Sequence, residues 1–125
     1  MSVSIYYTAR RSRSINDAEQ VAIDALVSEY SADSRIERYL RTGMGLNWAS
    51  FCIYQRLLGQ MADVVFDGAT KLPDNSEDGL WEGVRHWSEL LSRIRRVLRD
   101  AQWRVSVDDH ELVWDDERGE YDLQR

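Results

Sequence analysis

The sequence predicts an α+β fold, a mainly antiparallel sheet with two principal helices packed on one face. Three observations lead there. Two segments carry apolar residues at the spacing of an amphipathic helix, short runs of β-branched and aromatic residues flank them, and glycines or polar turn residues separate the runs. No internal repeat or linker interrupts the pattern, so residues 1–125 are expected to form a single domain.

Residues 3–8 open with Val3, Ile5 and Tyr7 alternating against Ser4 and Tyr6, the period of a half-buried strand. Asn16 then stands three residues before Glu19, a capping-box spacing in which each side chain satisfies the other's amide. Ala18, Val21, Ala22, Ala25, Leu26 and Tyr30 follow at helical spacing and predict a helix ending near Tyr30. Residues 31–41 repeat the start signal at Ser34 and Glu37, carry Ile36, Tyr39 and Leu40, and meet Gly43 and Gly45; a short helix is expected, with a strand as the alternative. Residues 46–54 contain no breaker and many strand formers, which reads as a central strand buried on both faces. Leu58 and Gly59 offer a turn, and residues 62–67 read as the returning strand of a hairpin.

Pro73 lies in a polar loop that leads to a helix start at Asp74, Ser76 or Asp78. Leu80, Val84, Trp87, Leu91, Ile94, Leu98 and Ala101 alternate steps of three and four, so this second principal helix has one core face. Its other face carries Arg85, Glu89, Arg93, Arg96 and Arg99, and arginines in the last turns complement the helix dipole. Residues 103–107 alternate as a strand, Asp108, Asp109 and His110 supply a turn, and Leu112, Val113 and Trp114 resume a strand. The order fits the ferredoxin-like βαββαβ pattern with an extra C-terminal strand, an architecture that by itself assigns no chemistry.

Composition narrows the function classes. A chain that is 43% hydrophobic, with five Trp and six Tyr, can bury a core without disulfides or metal. Cys52 is the only cysteine and reads as a small buried apolar residue. The first fifteen residues hold Arg10, Arg11 and Arg13 but no continuous apolar stretch, and no later run approaches a membrane span, so a cytoplasmic location and no membrane partner are expected. A net charge of −6 argues against DNA as a partner, because phosphate binding relies on neutralisation by Lys and Arg. Fifteen arginines against Lys71 alone can reflect the base composition of the coding gene as readily as a need for guanidinium geometry.

The charge is unevenly placed. Eight carboxylates fall within residues 108–122, against Arg118 alone: Asp108, Asp109, Glu111, Asp115, Asp116, Glu117, Glu120 and Asp122. Their spacing does not follow a calcium loop, which needs a glycine at its sixth position and a glutamate at its twelfth. Glu82 and His86 share a helical face at i,i+4, but two ligands fall short of a zinc site. No nucleophile elbow, phosphate loop or dinucleotide fingerprint is present, so neither metal nor cofactor is expected. Trp87 and Trp103 occupy core positions, whereas Trp48, Trp81 and Trp114 lie near element edges, where a ring can serve an interface or roof a pocket.

The expected function is a non-enzymatic interaction module that presents an acidic surface to a basic partner protein. The residues expected to bind it are Asp108, Asp109, Glu111, Trp114, Asp115, Asp116, Glu117 and Tyr121, with Trp114 or Tyr121 as the apolar anchor. In composition the chain is similar to small acidic inhibitors and immunity proteins, a comparison of class only. The alternative is a small-molecule-binding domain or enzyme with an aromatic pocket between sheet and helices, where His86 or His110 supplies the polar group. RNA binding through exposed arginines and tyrosines is the weakest reading. Homo-oligomerisation through an edge strand, residues 3–8 or 112–114, is a further expectation.

Overall fold

The computed structural model describes residues 3–54 and 63–123. Within them the order is β1 (Ser4–Arg10), α1 (Asp17–Glu29), α2 (Asp33–Thr42), β2 (Val64–Lys71), α3 (Glu77–Val97), β3 (Gln102–Val107), β4 (His110–Glu111), β5 (Val113–Asp115) and β6 (Glu120–Asp122). Strands β2, β1, β3 and β4 form one antiparallel sheet in that order, and β5 and β6 pair in a separate antiparallel ribbon. The fold is α+β.

Alternation in β1 sorts its side chains as the sequence predicts. Ile5, Tyr7 and Ala9 face the helices and are buried, while Tyr6 points away and is 45% exposed. Above this face lies α3, which buries Val84, Trp87, Leu90, Leu91 and Ile94, with its C-cap Leu98 buried too. Ser76 caps it by accepting a hydrogen bond from the Gly79 amide at 2.9 Å, which leaves four orphan amides fewer by one. The Asn16–Glu19 capping box of α1 is complete, with reciprocal bonds of 2.8 and 3.0 Å.

The inward face of α1 differs from the expected one. Ile23 is its buried residue, supported by half-buried Leu26 and Val27, whereas Val21 is 68% exposed and Ala18 and Ala25 face solvent. Rotating the helix toward the larger side chains removes more apolar area from water than an alanine-rich face can offer. Glu19 also serves a second task. With Asp100 it holds the buried Arg11 guanidinium at 2.6 and 2.9 Å, and the carbonyls of Arg13 and Ser14 accept its remaining N–H groups. This cluster ties the end of β1 to α1 and to the turn after α3, and it holds the Glu19 carboxyl down at about 2.

Residues 46–54 do not form the expected central strand. Ile53 makes a single antiparallel bridge to Gly68, and the Tyr54 amide donates to the Asp67 carbonyl at 2.8 Å; the rest of the segment is irregular. Its backbone groups are satisfied by side chains instead of by a ladder. The Tyr7 hydroxyl donates to the Cys52 carbonyl, the Cys52 amide donates to Thr70 Oγ1 at 3.2 Å, and the Asn47 side chain bonds to Asp74 and Asn75. Phe51 stacks on Tyr7 and Trp87, with ring centroids 4.7 and 5.4 Å away. The segment therefore lies across the core face of β2, over the space left by Gly68, and the ferredoxin-like pattern is not completed. The Leu58–Gly59 turn and Ala62 lie outside the described residues.

Three further expectations are corrected. Cys52 is exposed, because the segment uses its backbone and not its thiol to join the core. Trp48 is buried against His86 and Trp87, since the irregular path of its segment carries it under α3. Residues 3–8 supply the second strand of the sheet, between β2 and β3, so they offer no free edge.

Candidate functional site: a cleft beside the acidic C-terminal strands

The acidic stretch divides into two parts with different duties. In the first, the chain turns at Asp108, a non-glycine residue at φ 51°, and is clamped to β1: the Asp108 amide donates to the Ser4 carbonyl, and its Oδ1 accepts from the Ser4 amide at 3.2 Å. This turn leaves Asp109 and the two residues of β4, His110 and Glu111, on the surface. Glu111 lies 3.4 Å from Arg104, an exposed pair of small energetic weight.

In the second part most of the acids serve the local fold. Asp115 Oδ1 accepts from the amides of Glu117 and Arg118 at 3.0 and 3.1 Å, shaping the turn between β5 and β6. Asp116 accepts from Trp114 Nε1 at 2.7 Å, and Glu120 pairs with Arg118. Glu117 is exposed. Trp114 is half-buried, with the Arg95 guanidinium 4.2 Å above its ring and the Tyr121 ring 5.0 Å away at a steep angle. Tyr121 is only 5% exposed: its hydroxyl accepts from Arg95 and its amide donates to Ser92 Oγ. Burial raises its pKa. Tyr121 is therefore a core residue that fixes β6 on α3, and Trp114 alone of the expected anchors keeps an exposed portion.

A cleft of about 400 Å³ opens between the first turns of α3 and the C-terminal strands. Its walls are Leu80, Trp81 and Val84 of α3, Val107 of β3, and Leu112, Val113 and Leu123, while His110, Glu111 and Asp122 stand at its rim. The size lies within the usual range of ligand sites, and the pattern of apolar walls with a few convergent polar groups is typical of them. Helix α3 makes this possible because it is apolar on two sides at its start. Val84 faces the sheet, and Trp81 turns toward the C-terminal strands. Sequence periodicity assigned Leu80 and Val84 to the core stripe and left Trp81 at an edge; the excess of apolar residues at the helix start was the one available signal of a second surface.

His86, the other histidine, takes no part in this cleft. Its ring lies among Tyr30, Trp48 and Trp87, and Nε2 is 2.7 Å from the Tyr30 carbonyl, which a neutral ring satisfies by donating. Burial lowers its pKa, and Arg35 adds to the effect. Among the described residues, no group of three or more His, Cys, Asp or Glu side chains is placed to hold a metal ion. Among the described residues, no helix is long and apolar enough to cross a membrane.

The arginines of α3 and of the turn that follows it serve several partners. Arg95 covers Trp114 and Tyr121, Arg93 pairs with Glu29 of α1, and Arg99 Nε donates to the Arg96 carbonyl. Arg85, Arg93, Arg96 and Arg118 line a second groove on the other side of β6, in which Glu89, Glu120 and Asp122 also stand. Mixed charge makes it less distinctive than the apolar cleft. Comparison with family models, with curated proteins and with solved structures gives no match for the chain.

Proposed function

We propose that this protein is a non-enzymatic interaction module whose acidic C-terminal turn and neighbouring cleft receive a basic segment of a partner protein carrying one large apolar side chain. The observation that carries the reading is the juxtaposition of an apolar cleft of about 400 Å³ with the exposed carboxylate of Glu111 at its rim, two residues after the exposed Asp109. An apolar side chain inserted between Trp81, Val84 and Leu112 supplies most of the affinity. Burying about 150 Å² of it contributes roughly 4 kcal/mol before the costs of association. The carboxylates at the rim act mainly on encounter rate and selectivity, and their effect weakens with salt.

The test is fluorescence anisotropy with labelled peptides that place one tryptophan between lysines or, as a control, between glutamates. The lysine peptide is expected to bind the wild type, to bind Asp109→Lys/Glu111→Lys at least tenfold more weakly, and to lose affinity as salt rises. Equal binding of the two peptides, or indifference to the charge reversal, overturns the acidic-face reading. The same cleft supports a second reading as a small-molecule site, in which Trp81 stacks on the ligand and His110 bonds to it. Binding of neutral aromatic compounds that survives both the charge reversal and high salt favours that reading.

A further inference from the structure

We infer that α2 is a self-association surface, on which two copies of this chain pack antiparallel about a two-fold axis, with Leu40 against Leu40 and Glu37 of each copy against Arg41 of the other. Helix α2 buries none of its ten residues. Ile36 and Tyr39 are half-buried, but Leu40 is 78% exposed, and Met44, just beyond the Gly43 cap, is 70% exposed. Large apolar side chains so fully in water, on a helix held by one edge, mark a face that lacks its covering. Asp33, Ile36, Glu37, Leu40 and Arg41 line a shallow depression on this face together with Ser50.

The charge order along α2 identifies the occupant. Acids lie in the first half, at Asp33 and Glu37, and arginines in the second, at Arg38 and Arg41; Arg35 is turned aside over the Trp48 ring at 5.0 Å. A parallel neighbour would set like charges together. An antiparallel copy centred near Tyr39 sets Glu37 beside Arg41 on both sides of the axis, so this pair is its own complement, which is the requirement of an isologous two-fold contact. The register follows from helix geometry. With the axis crossing at the level of Tyr39, Glu37 and Arg41 lie roughly 3 Å to either side along the helix at a rise of about 1.5 Å per residue, so rotation exchanges their levels. Leu40 is roughly 1.5 Å from the axis in the same frame and meets its own copy beside the two ion pairs. Among the described residues, neither Glu37 nor Arg41 forms an ion pair with a residue outside α2.

One short helix covers less than the roughly 800 Å² a side of a standard interface, which fits a weak, transient dimer, and a dissociation constant on the order of 100 µM sets the range to search. This surface is separate from the cleft described above and does not depend on it.

The experiment is sedimentation equilibrium of the full chain from about 20 µM to about 1 mM, a range that brackets the expected constant. Wild type is expected to move from monomer to dimer, and Leu40→Arg, a change at an exposed position, to weaken the dimer more than tenfold. Glu37→Arg and Arg41→Glu each place like charges across the axis and are expected to weaken it roughly tenfold. An equimolar mixture of those two variants restores two opposite-charge pairs, and a heterodimer at least as tight as the wild-type dimer should appear. A monomer at every concentration, a dimer indifferent to Leu40→Arg, or a mixture that fails to associate each overturns the inference. The last outcome with a normal wild-type dimer rejects the Glu37–Arg41 register in particular.

Discussion

Substituting Gly68 by alanine tests how residues 46–54 are held. A Cβ at this position would stand 2.0 Å from the Cys52 carbonyl oxygen and 2.7 Å from Tyr7 Cε2. The first obstacle is backbone and cannot rotate away, and the second is a buried ring stacked on Phe51. The segment must therefore lift from β2. Overpacking of this kind costs about 1–3 kcal/mol, and loss of the Tyr7 hydroxyl bond to Cys52 adds about 1 kcal/mol, for a total near 3 kcal/mol. In a domain of this size that lowers Tm by roughly 10 °C. Calorimetry of Gly68→Ala and of Tyr7→Phe, which removes the hydroxyl without adding volume, separates the two contributions. Tyr7→Phe is expected to cost about 1–2 kcal/mol. If Gly68→Ala unfolds within about 0.5 kcal/mol of wild type, the range of an uninvolved surface substitution, the docking of 46–54 through Gly68 is refuted.

Other outcomes follow from the same contacts. Arg11→Met leaves Glu19 without its charged partner and two loop carbonyls without donors, and urea unfolding should show a loss of about 3 kcal/mol. The folded pKa of Glu19 is depressed to about 2, so its contribution is complete above the ordinary glutamate range and is lost as pH falls from about 4.5 toward 2; in Arg11→Met this acid limb should shrink. His86 acts in a different window. Its folded pKa is lowered by burial, so the unfolded chain takes up the proton first, and stability should decline as pH is lowered through about 6.5 and then level off below the folded value. Urea midpoints at pH 7.5 and pH 5.5 that coincide would show that the ring is not held neutral among Tyr30, Trp48 and Trp87.

The sequence was most informative where one local pattern also met the tertiary demand. In α3, residues 84, 87, 91 and 94 belong to both the periodic set and the buried one, and β1 alternates as its residues do. The Asn16–Glu19 spacing marked the start of α1, yet the inward face of that helix turned on side-chain size, which favours Ile23 over Val21. Residues 46–54 were illegible for a different reason. They have the composition of a strand, but Tyr7, Thr70 and Gly68 capture their backbone from positions remote in sequence.

For the candidate site, composition located the acidic stretch but could not distinguish carboxylates that shape turns, such as Asp115, from those left on the surface, such as Asp109. It also could not reveal that Tyr121 would turn inward to Ser92 and Arg95. The cleft itself is assembled from two ends of the chain's second half, α3 and the terminal strands, and no local spacing records that meeting.

Amide and indole chemical shifts of isotope-labelled protein, followed during titration with the lysine-flanked tryptophan peptide, test the proposed function most directly. Shifts are expected at Trp81 Nε1–H and at the amides of Val107, Asp109, Glu111, Leu112 and Val113, with α2 unchanged. Shifts centred on α2 or on the arginine groove of α3, with Trp81 and Leu112 unmoved, would contradict the assignment of the cleft as the binding site.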